Sequence, residues 1–556
     1  MATMTGREQF FEVARSEGIR HLFANPGTTE LPIFDELAGD TGIELVLALQ
    51  EATAVAAADG FAQASRTPAL VNLHIAPGVA NGLGNIFNAY WSRSPIVVTA
   101  GQQNINQLIQ DPMLAADLVR MVDQFCKWSY EVRRPEDIGV AMRRAFKIAM
   151  TPPTGPVFLS IPWNHLDESV ETVVPPRSRI DHGAAPGVEV LREAATRLLA
   201  AEQPIIIAGD EVARAGAVAD LVELAEAVGA RVVGEMLHGR MVFPMDHPLW
   251  NGGLMPMNAA VRAALERGDL LLACGAQMFP VFFFNPVSPI PEGVEVIQID
   301  SDPYEIAKTY PVALGLRGDV GATIRGIVRE VRSLLSAEDT ARRQARAAGY
   351  AAERQGALAG LDAAVEQQIT QTPLPTLGAL AAVVRGFDDN RMSVVDESVS
   401  ATAALRGLLR LRDPDSYFFF RGGGLGWGIP ASAGVALAQP DRKVVAVVGD
   451  GATCYVPQAL WTLAHYDIPS TVVVLNNGGY YIIKAQMQGM GGKSAAAGVF
   501  PGTEFSKPSV DFVGLANAFG VPAERAEKAG DVEALVRRGI ASGGPSLIEV
   551  PVFAGS

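Results

Sequence analysis

At roughly 100–200 residues per domain, a chain of 556 residues predicts about three domains rather than one small module. Asp and Glu total 60 against 45 Lys and Arg, a formal charge of −15, and no basic run could follow a phosphate backbone, so small molecules or copies of the chain are the expected partners and nucleic acid is not. An apolar content of 49% argues against disorder, while three scattered cysteines, Cys126, Cys274 and Cys454, exclude a disulfide framework and fit a reducing cytoplasm.

The chain opens on MATMTGREQFFEVARSEG, where early charges point to an amphipathic helix rather than a signal peptide. Short apolar runs follow: LVNLH (70–74), IVVTAG (96–101), VFLSIP (157–162), PIIIAGD (204–210), LLLACGA (270–276), VEVIQID (294–300), VVAVVGD (444–450) and TVVVLNN (471–477). Alternating with Ala-rich helical stretches, they predict an α/β chain built from doubly wound parallel sheets covered on both faces. The longest apolar stretch, Leu270 to Phe284, contains Gln277 and Pro280 and is too short to span a membrane, so a soluble protein is expected. A Pro/Gly-rich segment (173–187) and a charged, Ala-rich segment (336–360) with the look of a surface helix divide the chain into blocks 1–180, 188–335 and 365–556. In each of the first and third blocks one pair of successive strands starts 27 residues apart (69 to 96 and 444 to 471), which suggests that the two share a fold, unless βαβ units simply have similar lengths.

The strongest chemical signal is Gly449-Asp450-Gly451, followed after 24 intervening residues by Asn476-Asn477. Asp450 ends one strand and Asn477 the next, so both oxygen-bearing side chains emerge at one sheet edge. With a carbonyl near Gly479 and diphosphate oxygens they would suit octahedral Mg²⁺, for which Ca²⁺ could substitute. A lone GDG is more often an ordinary turn with Asp as a helix cap; Asn476-Asn477 at this spacing favours the metal. The run Gly426-Trp-Gly-Ile-Pro-Ala431 also imitates a nicotinamide-binding fingerprint, a reading that leaves Glu51, His74 and Asn477 without roles.

The GDG…NN element resembles the magnesium-diphosphate motif of thiamine diphosphate-dependent enzymes, and within that family the likeness is to the benzoylformate decarboxylase branch. Matching stretches run in order along nearly the whole chain: Asn25-Pro-Gly-Thr-Thr-Glu-Leu-Pro32, Leu47-Ala-Leu-Gln-Glu-Ala52, Asn72-Leu-His74, Val98-Thr-Ala-Gly-Gln-Gln103, Lys127-Trp-Ser-Tyr-Glu131, Gly423-Gly-Leu-Gly426 and Ala459-Leu-Trp-Thr462. The resemblance implies pyrimidine-binding, central and diphosphate-binding domains in that order. Glu51 would hydrogen-bond the cofactor's aminopyrimidine and Leu425 would support its bent shape. Gly423 would contact the pyrimidine, and Ser400, Gly451 and Ala452 would lie at the diphosphate. Val399 stands where the branch has a threonine. His74 would be an acid/base and Thr28, in place of a serine, would touch the substrate carboxylate. Phe282 falls where the branch places a second catalytic histidine, and Met113, Leu114, Ile482 and Ile483 are candidate pocket walls. The implied activity is non-oxidative decarboxylation of a 2-keto acid, plausibly aromatic, to an aldehyde, with carboligation as a side activity and no FAD. A homotetramer is expected, a dimer of dimers in which Glu51 and Asp450 serve one cofactor only across a subunit interface. Rival readings are an acetolactate synthase-like carboligase, a 2-hydroxyacyl-CoA lyase and a non-catalytic regulatory subunit.

Overall fold

The computed structural model describes residues 2–387 and 391–553. Among them are three six-stranded parallel sheets. The first contains β1 (His21–Ala24), β2 (Glu44–Leu47), β3 (Ala69–Leu73), β4 (Ile96–Gln102), β5 (Ser129–Glu131) and β6 (Val157–Pro162), with β3, β4 and β6 buried along their whole length. The second contains β7 (Pro204–Ala208), β8 (Arg231–Gly234), β9 (Trp250–Gly253), β10 (Leu270–Cys274), β11 (Glu295–Asp300) and β12 (Leu314–Arg317). The third contains β13 (Met392–Glu397), β14 (Tyr417–Phe419), β15 (Lys443–Gly449), β16 (Ser470–Asn476), β17 (Ala523–Arg525) and β18 (Ser546–Pro551). Helices that matter below are α1 (Glu51–Ser65), α2 (Ile75–Trp91), α3 (Val188–Ala200), α4 (Val218–Val228), α5 (Ala337–Gln368), α6 (Gly428–Ala438) and α7 (Tyr481–Gly489).

The strand orders explain the echo between the first and third blocks. The first sheet runs β2-β1-β3-β4-β6-β5 and the third β14-β13-β15-β16-β18-β17, the same topology strand for strand. Equivalent neighbours pair Ala69 with Ile96 and Val444 with Ser470, so the repeated spacing is one βαβ unit used twice. The middle sheet, β9-β8-β7-β10-β11-β12, is wound differently. In each outer sheet the chain reverses direction of growth at its second and third positions, the crevice where open parallel sheets hold ligands.

The chain divides into two units. One holds both outer sheets (Met1–Arg179, Thr372–Ser400, Phe420–Ser556), the other the middle sheet (Ile180–Gln371, Ala401–Phe419). Within the first unit, α1 and α6 meet at backbone distance because both are built from small residues. A Cβ on Gly60 would stand 2.3 Å from the Ala431 carbonyl oxygen, and one on Gly434 1.8 Å from that of Ala57. Across this contact the Trp427 indole N–H donates to the fully buried Asp59 carboxylate at 2.7 Å, which also accepts from Gln63 at 2.9 Å.

In the second unit the charged segment 336–360 lies in α5, which is tied down by arginines. Arg343 donates to the Leu199 carbonyl at the end of α3, and Arg346 to the Val228 and Gly229 carbonyls at the end of α4. Cations there satisfy the orphan carbonyls of two helix C-termini. At the opposite edge of the middle sheet, buried carboxylates take the N–H groups: Asp210 accepts from Gly239 and Arg240, and Glu235 from Asp210 and Gln277. No helix among the described residues is long and apolar enough to cross a membrane.

Candidate functional site

The first cluster forms where β1 and β3 diverge. His74 follows β3 and caps α2; its Nδ1 meets Glu30 Oε2 at 2.9 Å. Glu30 is fully buried, and its other oxygen accepts from the Ile75 N–H (3.1 Å), the Gly101 N–H (2.8 Å) and the Thr29 hydroxyl (2.7 Å). A carboxylate only accepts, so this contact puts the imidazole proton on Nδ1 and leaves Nε2 for chemistry. Gly27 packs flat against the ring, since a Cβ there would stand 1.8 Å from His74 Nδ1.

Glu51 begins α1 behind the Gln50 cap, whose side-chain oxygen accepts from the Ala52 and Thr53 N–H groups. Its carboxylate is 5% exposed and accepts from the Asn81 amide at 3.0 Å. Gly78 is the hinge between the two groups: a Cβ there would stand 2.9 Å from Glu51 Oε1 and 3.2 Å from His74 Cβ. Glycine is needed so that the helix can pass between the acid and the imidazole.

The second cluster forms at the equivalent place in the third sheet. Asp450 follows β15, is 2% exposed, and gathers the loop after β16: its Oδ2 accepts from the N–H groups of Asn477 (3.0 Å), Gly478 (2.7 Å) and Gly479 (3.2 Å), and its Oδ1 from Gly451 (2.7 Å). Burial pushes the Asp450 carboxyl above its ordinary range, against the pull of these donors. Asn476 pins the loop from its other side: its amide donates to buried Glu549 at 2.8 Å, and its Oδ1 accepts from the Gly478 N–H at 3.0 Å. Gly479 has no room for a side chain, because a Cβ would meet the Thr503 carbonyl oxygen at 2.2 Å. Asp450, the Asn477 amide oxygen and the Gly479 carbonyl are an all-oxygen donor set on one loop pair. Asp450 Oδ1, with one N–H accepted, keeps a lone pair for a cation, so the set fits hard Mg²⁺.

The glycine-rich loop joins the two clusters within one chain. Asn88 clamps Gly424 at both its N–H (3.0 Å) and its carbonyl (2.7 Å), and the Asn85 amide bridges the Ala52 carbonyl (2.9 Å) and the Gly426 carbonyl (3.4 Å). Gly426 in turn packs on Tyr455 and Val456, just past the Asp450 turn. Within one chain the start of α1 thus touches the exit of this loop through Asn85. Gly423 has φ +79° and open space around it, and Leu425 is partly buried. From below, the Glu397 carboxylate accepts from the N–H groups of Gly426, Trp427 and Gly428. Those are the donors that a dinucleotide diphosphate would need, so the nicotinamide fingerprint is already filled by a side chain.

Two β-branched residues adopt left-handed backbone beside these groups, Ile75 (φ +28°) next to His74 and Val399 (φ +49°) next to Ser400. Such outliers concentrate at functional sites because surrounding contacts must hold them. Ser400 and Thr28 are exposed, while Gly451 and Ala452 are buried under the turn. Met113 (84% exposed), Leu114, Ile482 and Ile483 lie on the surface of the first unit, the last two on α7. Phe282 belongs to the second unit, after β10, and is 64% exposed with Phe283 and Phe284 beside it. The sequence reading missed Glu30, Asn81, Asn85, Asn88 and Glu397. Glu30 lay within the quoted Asn25–Pro32 stretch and was legible there; the others carry no motif.

Comparison with known proteins agrees with this geometry. Residues 4–119, 191–327 and 399–550 match, in order, the N-terminal TPP binding domain, the central domain and the C-terminal TPP binding domain of the thiamine pyrophosphate enzymes. The chain is 34% identical to benzoylformate decarboxylase of Pseudomonas aeruginosa over 549 residues, 97% of each protein. It is 26% identical to the acetolactate synthase large subunit of Haemophilus influenzae, covering 86% of this chain and 83% of that one. The structure of a thiamine diphosphate-dependent 4-hydroxybenzoylformate decarboxylase from Rhodococcus jostii RHA1 superposes with a TM-score of 0.86 at 30% identity, covering 99% of this chain and 100% of the other. With both cofactor-edge clusters, all three domains and a full-length relative in agreement, the chain belongs to the thiamine pyrophosphate enzyme family.

Proposed function

We propose that this enzyme is a magnesium-dependent decarboxylase of an aromatic 2-keto acid of the benzoylformate kind, a carbon–carbon lyase that releases an aldehyde and ligates aldehydes as a side activity. The observation that carries the reading is the pair of matched strand-end clusters, one furnished for proton transfer (Glu51, His74, Glu30) and one for holding an anion through a cation (Asp450, Asn477, Gly479). The 34% identity to a benzoylformate decarboxylase over 97% of the chain supports the substrate class.

Thiamine diphosphate, when bound, would supply the electron sink that loss of CO₂ from a 2-keto acid requires. Glu51 would hold a proton at a pyrimidine ring nitrogen, its carboxylate desolvated at the start of α1. Leu425 and the Gly423 main chain would support the pyrimidine. Asp450, the Asn477 amide oxygen and the Gly479 carbonyl would hold Mg²⁺, with Ser400, Gly451 and Ala452 along the diphosphate. His74, fixed by Glu30 with Nε2 outward, would move a proton at the substrate oxygen or the product carbon. Thr28 would donate to the substrate carboxylate. Met113, Leu114, Ile482 and Ile483 would wall the pocket and exclude water, and the part of Phe282, which stands where the resemblance implies a second histidine, is a matter for substitution. We assign no FAD to the central domain. Exposed apolar residues of the first unit, Ile109, Met113, Met490 and Val499 among them, support burial in a homotetramer built as a dimer of dimers.

The test is a panel of 2-keto acids assayed with thiamine diphosphate and Mg²⁺, with aldehyde and 2-hydroxyketone both quantified. The expected result is cofactor-dependent aldehyde, with kcat/KM highest for benzoylformate-like acids. Acetolactate from pyruvate as the main product would overturn the reading in favour of the carboligase.

A further inference from the structure

Glu397 is a buried acid that the mechanism does not use. Glu397 ends β13, is 1% exposed, and reaches under the glycine-rich loop 29 to 31 residues later in the chain. Its Oε1 accepts from the N–H of Gly426 (2.7 Å) and Trp427 (3.0 Å), and its Oε2 from Trp427 (3.1 Å) and Gly428 (2.6 Å). These donors are the last residues of the loop and the first of α6, so one carboxylate caps the helix and fixes the loop's exit. Val448 and the Glu397 side chain leave no room beside Gly428, where a Cβ would stand 2.8 Å from Val448 Cγ1, 2.9 Å from Glu397 Cβ and 3.0 Å from Oε2. The far side of the same loop is held by Asn88 at Gly424 and by Asp59 at the Trp427 indole. Leu425 is thus the one residue between Gly424 and Trp427 whose backbone has no clamp of its own; its place is set by its neighbours.

We propose that Glu397 is a positioning residue for cofactor binding: its buried carboxylate pre-sets the main chain from Gly426 to Gly428 and thereby the height of Leu425 and Gly423 against the pyrimidine. The glycines at 422–424 and 426 bring no side chains to define the path of the loop, so a buried carboxylate fixes it through main-chain N–H groups instead. Burial pushes the Glu397 carboxyl up to about 7, with neighbouring Asp396 adding to the rise, although three N–H donors pull it down. This inference rests on the cofactor assignment proposed above.

The experiment is a titration of thiamine diphosphate with Mg²⁺ into wild type, Glu397→Gln and Gly428→Ala, with kcat and keto-acid KM measured at saturating cofactor. Gln keeps the volume but turns an NH₂ toward backbone donors. Ala at 428 displaces the carboxylate and leaves its charge. Both should weaken cofactor binding by about 10-fold or more and lower kcat, with keto-acid KM nearly unchanged. If Glu397→Gln does not fold, Gly428→Ala and Glu397→Asp carry the test, Asp with its charge kept but its reach shortened. Cofactor affinity and kcat within about two-fold of wild type in folded variants would overturn the positioning role. Absence of thiamine diphosphate binding by wild type would instead overturn the cofactor assignment, so the two failures are distinct.

Discussion

The two outer sheets have the same strand order and the same crevice, yet their strand ends carry different chemistry. In the first, the crevice holds Glu51, His74 and Glu30, groups that can share and move protons. In the third, it holds Asp450 and a loop of amides and carbonyls that can fix a cation, with Glu397 beneath. One topology can thus carry two kinds of strand-end chemistry, because the strand ends, unlike the buried strands, can change without disturbing the core. The middle sheet adds a contrast: beyond its strands the N–H groups of Gly239 and Arg240 donate to Asp210, and those of Asp210 and Gln277 to Glu235.

The comparison breaks if substitutions at the two crevices have the same consequences. The largest expected effect is Glu51→Gln, which should lower kcat by about 10²–10⁴-fold while cofactor affinity stays close to wild type. Steady-state rates at saturating cofactor check it. Asp450→Ala should act in the opposite manner, weakening cofactor binding by about 10²-fold and abolishing its dependence on Mg²⁺, as read by calorimetric titration.

A stability prediction follows from Glu397, whose folded-state carboxyl titrates near 7 against an ordinary 4.5. Between those values the folded protein keeps a proton that the unfolded chain has lost, so stability falls as pH rises from about 4.5 to about 7 and is level above. The loss is on the order of 3 kcal/mol. Denaturant titrations across that window should show the slope in wild type and its absence in Glu397→Gln. Glu30→Gln should cost roughly 10-fold to 10²-fold in kcat by freeing the His74 ring to turn, with cofactor affinity unchanged. The smallest effect expected is that of Phe282→His, which should raise the ratio of free aldehyde to 2-hydroxyketone by a few-fold, about the weight of one added proton-transfer group at long reach. An unchanged product ratio would leave Phe282 without a part in the reaction.

Much of this architecture was legible because buried parallel strands announce themselves as unbroken apolar runs, as Val444–Val448 does. The repeated spacing of strands in the first and third blocks also anticipated their common topology. The short strands His21–Ala24 and Glu44–Leu47 were not read, being four residues each and partly polar. At the site, Asp450 and Asn477 were visible because their motif is local. Glu397 was not, since a buried acid looks like any surface acid in sequence and its partners are 29 or more residues away. Glu30 was legible only as part of a matching stretch, because its role depends on His74, 44 residues away, whose imidazole it orients. Contacts such as Asn85 with Gly426, 341 residues apart, depend on how the two outer sheets pack and leave no local trace.

The division of labour between the crevices is tested most directly by following hydrogen–deuterium exchange at C2 of thiamine diphosphate bound to wild type and to Glu51→Gln, by quenched-flow NMR. The account predicts that both proteins bind the cofactor equally well, with exchange slowed by about 10²-fold or more in the variant. Equal exchange rates in the two bound complexes would contradict it, because the proton chemistry would then not depend on the acid of the first crevice.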